Sequence, residues 1–212
     1  LKALISSGQV TSNGQMARDP SAKAKEGAAY SVAVPAPTPA HNEAQDIPLE
    51  IVFEDDERVD IKVGAGEVWH EFVRYTVEKG LGGLENMSLI PGSVGASPMQ
   101  NIGAYGVELK NVFVALEAIH LQTGNTKIFT KEECKFGYRE SVFKKEEKGN
   151  YFIYAVTLKL SKHPTINTSY GDIQKIVEER AIQHPTIKEV SEAVIQIRES
   201  KLPNPKILGN AG

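Results

Sequence analysis

Residues 89–106 read Leu-Ile-Pro-Gly-Ser-Val-Gly-Ala-Ser-Pro-Met-Gln-Asn-Ile-Gly-Ala-Tyr-Gly. Small side chains let backbone come close to a ligand, and exposed backbone amides suit a phosphate or the polar edge of a flat ring. No Gly-Lys-Ser/Thr follows, so this is not a nucleoside-triphosphate loop, and it lacks the strand-to-helix Gly-x-Gly-x-x-Gly of a dinucleotide fold. A tight surface loop would have the same composition.

Three further clusters carry chemistry. Arg139 lies between aromatic and apolar residues in Phe136-Gly137-Tyr138-Arg139-Glu140-Ser141-Val142-Phe143-Lys144. A guanidinium held there suits a two-pronged grip on a carboxylate. The competing reading is a surface arginine paired with Glu140 or Glu146. Arg198 and Lys201 are three apart on one helix face, just ahead of Leu202-Pro203-Asn204-Pro205. They form a cationic point for a phosphate or carboxylate, or they merely complement the helix dipole. Thr168-Ser169-Tyr170-Gly171-Asp172 is the third cluster. The five histidines show no metal-ligand spacing, His120 reads as structural, and Cys134 has no motif around it, so no metal site is expected.

These residues need elements to hold them. Leu49–Phe53 and Val59–Val63 read as strands around Glu54-Asp55-Asp56-Glu57. Gly64-Ala65-Gly66 breaks the second strand. A helix is predicted over 67–79, with Val68, Phe72 and Tyr75 or Thr76 as its apolar steps and Gly80 as its stop. Residues 81–106 are loop-like. Residues 111–122 and 126–130 form a hairpin across Gly124-Asn125, and residues 151–160 alternate as a strand. The last helix starts at Thr186, where Thr186-Ile187-Lys188-Glu189 matches a capping box. Ile187, Val190, Val194 and Ile197 are its buried stripe.

The 212 residues carry 24 Lys+Arg against 27 Asp+Glu, a formal charge of -3, which leaves no basic footprint for nucleic acid. No apolar run nears the roughly 18 residues of a membrane span. The single cysteine suits a reducing cytoplasm. Residues 1–47 are rich in Ala, Ser, Gly and Pro, and 34–40 favour extended polyproline-like backbone. That composition predicts a flexible tail or linker.

Together the segments resemble one family. Gly64-Ala65-Gly66-Glu67-x-Trp69-His70 precedes Gly83-Leu84-Glu85-Asn86, Ile90-Pro91-Gly92-Ser93-Val94-Gly95 and Pro98-x-Gln100-Asn101-Ile102-Gly103-Ala104-Tyr105-Gly106. Tyr138-Arg139-x-Ser141-x-Phe143-Lys144, Tyr170-Gly171-Asp172, Lys201-Leu202-Pro203-x-Pro205 and Gly209-Asn210-Ala211-Gly212 follow. In order and spacing over residues 50–212 this resembles the UDP-N-acetylenolpyruvoylglucosamine reductases (UDP-N-acetylmuramate dehydrogenases), flavoenzymes of peptidoglycan precursor synthesis. The Tyr170 segment resembles the longer of two subtypes.

The resemblance implies an α+β chain: a partial FAD-binding domain of the vanillyl-alcohol-oxidase type, followed by the start of a substrate-binding domain. It sets the boundaries at 1–47 for the unmatched tail, 48–160 for the flavin region and 161–212 for the substrate region. It implies NADPH as reductant and UDP-N-acetylglucosamine enolpyruvate as substrate; charge and the apolar runs already leave neither nucleic acid nor membrane as an expected partner, and the oligomeric state is left open. Arg139 matches the arginine that grips the substrate carboxylate. Ser97, Gln100, Asn101, Gly103 and Tyr105 match the loop against the flavin. Tyr170, Arg198 and Lys201 match positions around the uridine diphosphate.

Three family features have no match. The Gly-Ser-Asn phosphate loop for FAD is absent from 1–47, where the nearest string, Thr11-Ser12-Asn13-Gly14, lacks a glycine run and is expected to lack strand context. The proton-donating serine would directly follow Gly212, and a late glutamate would lie further on. The resemblance therefore implies an inactive fragment. The rival from another class is a non-catalytic protein that binds flavin or a nucleotide sugar.

Overall fold

Asn13-Gly14 suits positive φ at both positions, and a two-residue hairpin closes there with φ of 50° and 78°. It joins β1 (Val10–Ser12) to β2 (Gln15–Met16), and β3 (Tyr30–Val32) pairs antiparallel with the other edge of β1. Asn13 adds a clamp: its amide donates to the Ala29 carbonyl at 2.8 Å, and its Oδ1 accepts from the Ala29 amide at 2.9 Å. The computed structural model describes residues 5, 8–19, 21–23, 25, 27–33 and 49–202. The chain falls into two units, Leu1–Asn42 and Glu43–Gly212.

Where composition predicts a flexible tail, the first unit thus carries a small sheet. One strong turn dipeptide closes short strands locally, without needing a large core. Thr11-Ser12-Asn13-Gly14 has strand context after all, spanning the end of β1 and its turn. The stretch 34–40, Pro203, Pro205 and the Gly209–Gly212 string lie outside the described residues.

The second unit begins with β4 (Glu50–Glu54) and β5 (Arg58–Gly64), followed by helix α1 (Trp69–Glu78). Short 3₁₀ turns at Glu85–Met87 and Val94–Gln100 precede the two-residue strands β6 (Gly103–Ala104) and β7 (Val107–Glu108). The hairpin of β8 (Phe113–His120) and β9 (Thr126–Thr130) is next, then β10 (Tyr151–Ser161), α2 (Gly171–Glu179) and α3 (Ile187–Lys201). The main sheet has the order β4-β5-β10-β8-β9, antiparallel throughout.

Alternation decides which face is buried. Val59, Ile61 and Val63 of β5 join Val156, Leu158 and Leu160 of β10, Leu116 and Ala118 of β8 and Phe129 of β9 in one core. The opposite face carries a charged ladder in which Lys62 lies 2.8 Å from Glu50 and 3.4 Å from Glu117, while the Tyr154 hydroxyl donates to Glu117 at 2.8 Å.

Helix α1 covers the buried face through Trp69, Phe72, Val73 and Thr76. The expected steps at Phe72 and Thr76 are buried, but the first one is not: Val68 is exposed, and Trp69 is the anchor. The indole decides the phase, because its Nε1–H donates to the Met87 carbonyl at 3.0 Å inside the core. Gly80, at φ +74°, ends the helix as expected. A second cluster pairs Ile173 and Val177 of α2 with Val190, Ala193, Val194 and Ile197 of α3. The capping box at Thr186 forms, with the Thr186 amide donating to Glu189 at 2.7 Å. Helix α2 had no expectation attached to it: only Ile173 and Val177 face inward, too few to mark a stripe.

Candidate functional site

Two loops are stapled together by side chains that donate to backbone carbonyls. Ser141 Oγ donates to the Met99 carbonyl at 2.7 Å. Asn101 Nδ2 donates to the Gly137 carbonyl at 2.9 Å, while its Oδ1 accepts from the Lys110 amide at 2.9 Å. Arg139 Nη2 donates to the Gly103 carbonyl at 2.5 Å. Asn101 and Arg139 are both left-handed, with φ of 44° and 54°. Asparagine tolerates that region better than most residues, which accounts for its use at the hinge of this loop.

The reading of Arg139 as a surface ion pair with Glu140 or Glu146 is set aside by geometry. Glu140 pairs with Lys145 at 2.9 Å and Glu146 with Lys135 at 2.9 Å. The Arg139 guanidinium instead lies against the Tyr138 ring, 5.3 Å from its centroid, and lines a cavity.

That cavity has a volume of about 900 Å³. Its walls bring together Gln100, Gly103, Tyr105, Arg139, Tyr170, Arg198 and Lys201, positions separated by a hundred residues of chain. The Tyr105 and Tyr170 rings meet edge to face at 5.1 Å. Ser97 and Asn101, expected to face a ligand, do not line it. Ser97 Oγ is buried and donates to the Val94 carbonyl at 2.6 Å, and Asn101 spends its side chain on the staple. Both shape the loop from behind.

The two cations in the last turn of α3 differ. Arg198 is only 7% exposed; its Nε donates to the Leu89 carbonyl at 3.1 Å, and its Nη2 is buried without a hydrogen-bond partner. Burial lowers its pKa, and the neighbouring Tyr105 hydroxyl opposes that. It remains charged, because arginine starts so high. An orphaned, buried N–H of a cation asks for an acceptor from outside. Lys201 is exposed and sits 2.5 Å from Asp172 at the start of α2, which raises its pKa. Burial pushes the Tyr105 phenol up, with Arg198 pulling the other way.

Asn86 and Ser88 shape the site but carried no expected role. Asn86 Nδ2 donates to both the Tyr105 and Asn167 carbonyls, at 3.1 and 3.0 Å. Ser88 and Ser191 hydroxyls meet at 2.8 Å, tying α3 to the turn at 85–87. Asn86 lies in the quoted Gly-Leu-Glu-Asn string, a signal of place though not of role.

Known proteins bear on this arrangement. Residues 48–130 match a family model described as FAD binding domain. The UDP-N-acetylenolpyruvoylglucosamine reductase of Flavobacterium johnsoniae is 56% identical over 164 residues, covering 77% of this chain and 49% of that protein. The enzyme of the same name from Amoebophilus asiaticus is 52% identical, again over 77% of this chain and 48% of its own length. Over the matched residues the chain is homologous to the UDP-N-acetylenolpyruvoylglucosamine reductases. The chain spans about half the length of the curated relatives it matches. A crystal structure of a reductase of this family from Thermus caldophilus aligns with a TM-score of 0.49 at 25% identity, over 67% of this chain and 44% of that one.

The α+β class expected from the sequence is the one observed, and the FAD-binding match spans β4 to β9. The residues present fit part of such a cofactor. Gln100 and the stretch Gly103–Gly106 line the cavity, small or polar groups that suit the edge of a flat ring. Among the described residues there is no helix long and apolar enough to cross a membrane and no cluster able to hold a metal ion.

Proposed function

We propose that this cavity is where the reduction of UDP-N-acetylglucosamine enolpyruvate to UDP-N-acetylmuramate takes place, with FAD as cofactor, NADPH as reductant and the cytoplasm as location. The observation that carries the reading is the convergence of Arg139, Arg198 and Lys201 on one pocket beside the FAD-binding segment. When bound, FAD would supply hydride chemistry, and Gln100, Gly103 and Tyr105 are the residues that would lie against it. Residues 161–212 would begin the substrate region, with 48–160 forming the flavin region.

Arg139 has one N–H fixed on Gly103, which leaves the rest of its fork for the enolpyruvyl carboxylate. Negative charge grows next to that carboxylate as hydride reaches the double bond. A cation already anchored before the reaction lowers that barrier without reorganising. Arg198 needs no hydration shell removed when an acceptor arrives, since burial has already stripped it. Lys201 and Tyr170, at the exposed end, suit the diphosphate and uridine of the substrate.

Calorimetric titration of the whole chain with UDP, and fluorescence titration with FAD, test the assignment. Wild type should bind both. Arg198→Met and Lys201→Met should each weaken UDP by about tenfold, the size of one charge-assisted hydrogen bond. With flavin, NADPH and the enolpyruvyl sugar supplied, Arg139→Lys should lower any turnover by about a hundredfold. Failure to bind either ligand, or unchanged UDP affinity in both α3 variants, overturns it.

A further inference from the structure

Leu89 sits in the left-handed region at φ 58°, which a bulky side chain adopts only when its surroundings impose it. Both of its backbone polar groups are held by side chains from different helices. Its N–H donates to His70 Nδ1 of α1 at 2.9 Å, and its carbonyl accepts from Arg198 Nε of α3 at 3.1 Å. Neither bond is part of a helix or strand ladder. Leu89 is therefore a one-residue bridge from the imidazole to the buried guanidinium at the cavity wall.

From this we infer that His70 is a positioning residue: acting through Leu89, its neutral imidazole fixes Arg198 in the cavity, and its protonation releases that hold. The sense follows from the bond itself. Nδ1 accepts only while it carries no proton, so the neutral ring must hold its hydrogen on Nε2. A proton on Nδ1 turns acceptor into donor, and the Leu89 N–H then faces another N–H. With its amide released, Leu89 loses a restraint on its left-handed backbone, and the carbonyl that anchors Arg198 moves with it.

The charged groups around His70 compete. Burial is the largest influence and lowers its pKa; Arg74 of α1 and Arg198 of α3 act in the same sense. Glu71 of α1 and Glu199 of α3 oppose them. From the turn at 85–87, Glu85 is committed elsewhere, accepting from the Gly83 amide at 2.6 Å. Release therefore begins below the ordinary histidine range, near 6.5.

The functional consequence rests on the reading of the cavity as the UDP-sugar site, but the coupling does not, so the two are tested apart. The first arm uses the ligand-free chain and follows the Leu89 amide, the Arg198 Nε–H and the His70 ring by NMR from pH 5 to 8. All three should move together with one midpoint below 6.5. His70→Asn keeps an acceptor near Nδ1 and cannot titrate, so both protons should persist with flat pH profiles. His70→Phe keeps ring shape without an acceptor, and Arg198 Nε–H exchange should quicken at least tenfold at every pH. A His70 titration that shifts Leu89 but leaves Arg198 Nε–H untouched overturns the inference; if His70→Phe fails to fold, wild type against His70→Asn decides. In the second arm, UDP affinity below the His70 midpoint should fall about tenfold further in wild type than in His70→Asn, a comparison that cancels the titration of the UDP phosphate itself. Coupled NMR shifts with no UDP binding at any pH would count against the cavity's assignment and leave the positioning role standing.

Discussion

Removing the Asn101 side chain tests whether the staple between the loops at 99–103 and 137–141 is structural. Its two hydrogen bonds, to the Gly137 carbonyl and from the Lys110 amide, are both 2.9 Å, and the residue is fully buried. Each bond contributes about 1 kcal/mol net. The Gly137 carbonyl keeps its bond from the Glu140 amide at 3.3 Å, so it is not fully orphaned. A third contribution comes from backbone: alanine at φ 44° incurs about 1 kcal/mol that asparagine largely avoids. Asn101→Ala should therefore destabilise by about 3 kcal/mol, and Asn101→Gly by about 2, since glycine has no left-handed penalty. With a urea slope of about 2 kcal/mol/M, the alanine variant's midpoint should fall by about 1.5 M. Asn101→Asp keeps the acceptor for Lys110 but turns a carboxylate oxygen on the Gly137 carbonyl, so it should be no better than alanine. Hydrogen exchange at the Lys110 amide gives a local readout beside the urea midpoint. An alanine variant within about 0.5 kcal/mol of wild type, or a glycine variant less stable than alanine, would refute the account.

Two further outcomes are expected. A Cβ at Gly95 would lie 2.4 Å from Ala65 Cβ and 3.1 Å from the Ala65 backbone, so Gly95→Ala should cost about 1–3 kcal/mol by thermal or urea melting, and Ala65→Gly in the same chain should restore part of it. The buried Cys134 thiol is pushed up to about 12, chiefly by burial, so a thiol reagent at pH 8 should react far more slowly with native than with guanidinium-unfolded chain; equal rates would refute its burial.

Much of the architecture was legible along the chain because the signals are local. The capping box at Thr186, the hairpin around Gly124-Asn125 and the stop at Gly80 each depend on a few neighbouring residues, and all three form. Composition misled over residues 1–47, where averaging hid one Asn-Gly dipeptide that closes a hairpin. In α1 Phe72 and Thr76 face inward as expected and only the first step, Val68, does not, because helical spacing alone does not say whether Val68 or Trp69 turns inward; the Met87 carbonyl, eighteen positions from Trp69, settles it.

The candidate site divides the same way. Residue type and order marked the glycine-dense loop, Arg139, Tyr170 and the α3 cations as a set. Only tertiary structure decided their parts: Ser97 and Asn101 turn behind the loop, Lys201 meets Asp172, and Arg198 is buried with an unmet donor. The reason is physical. Side-chain chemistry is a property of the residue, but exposure, hydrogen-bond partners and desolvation depend on what folding brings from elsewhere in the chain, and His70 reaching Arg198 through Leu89 spans more than a hundred positions that no local pattern connects.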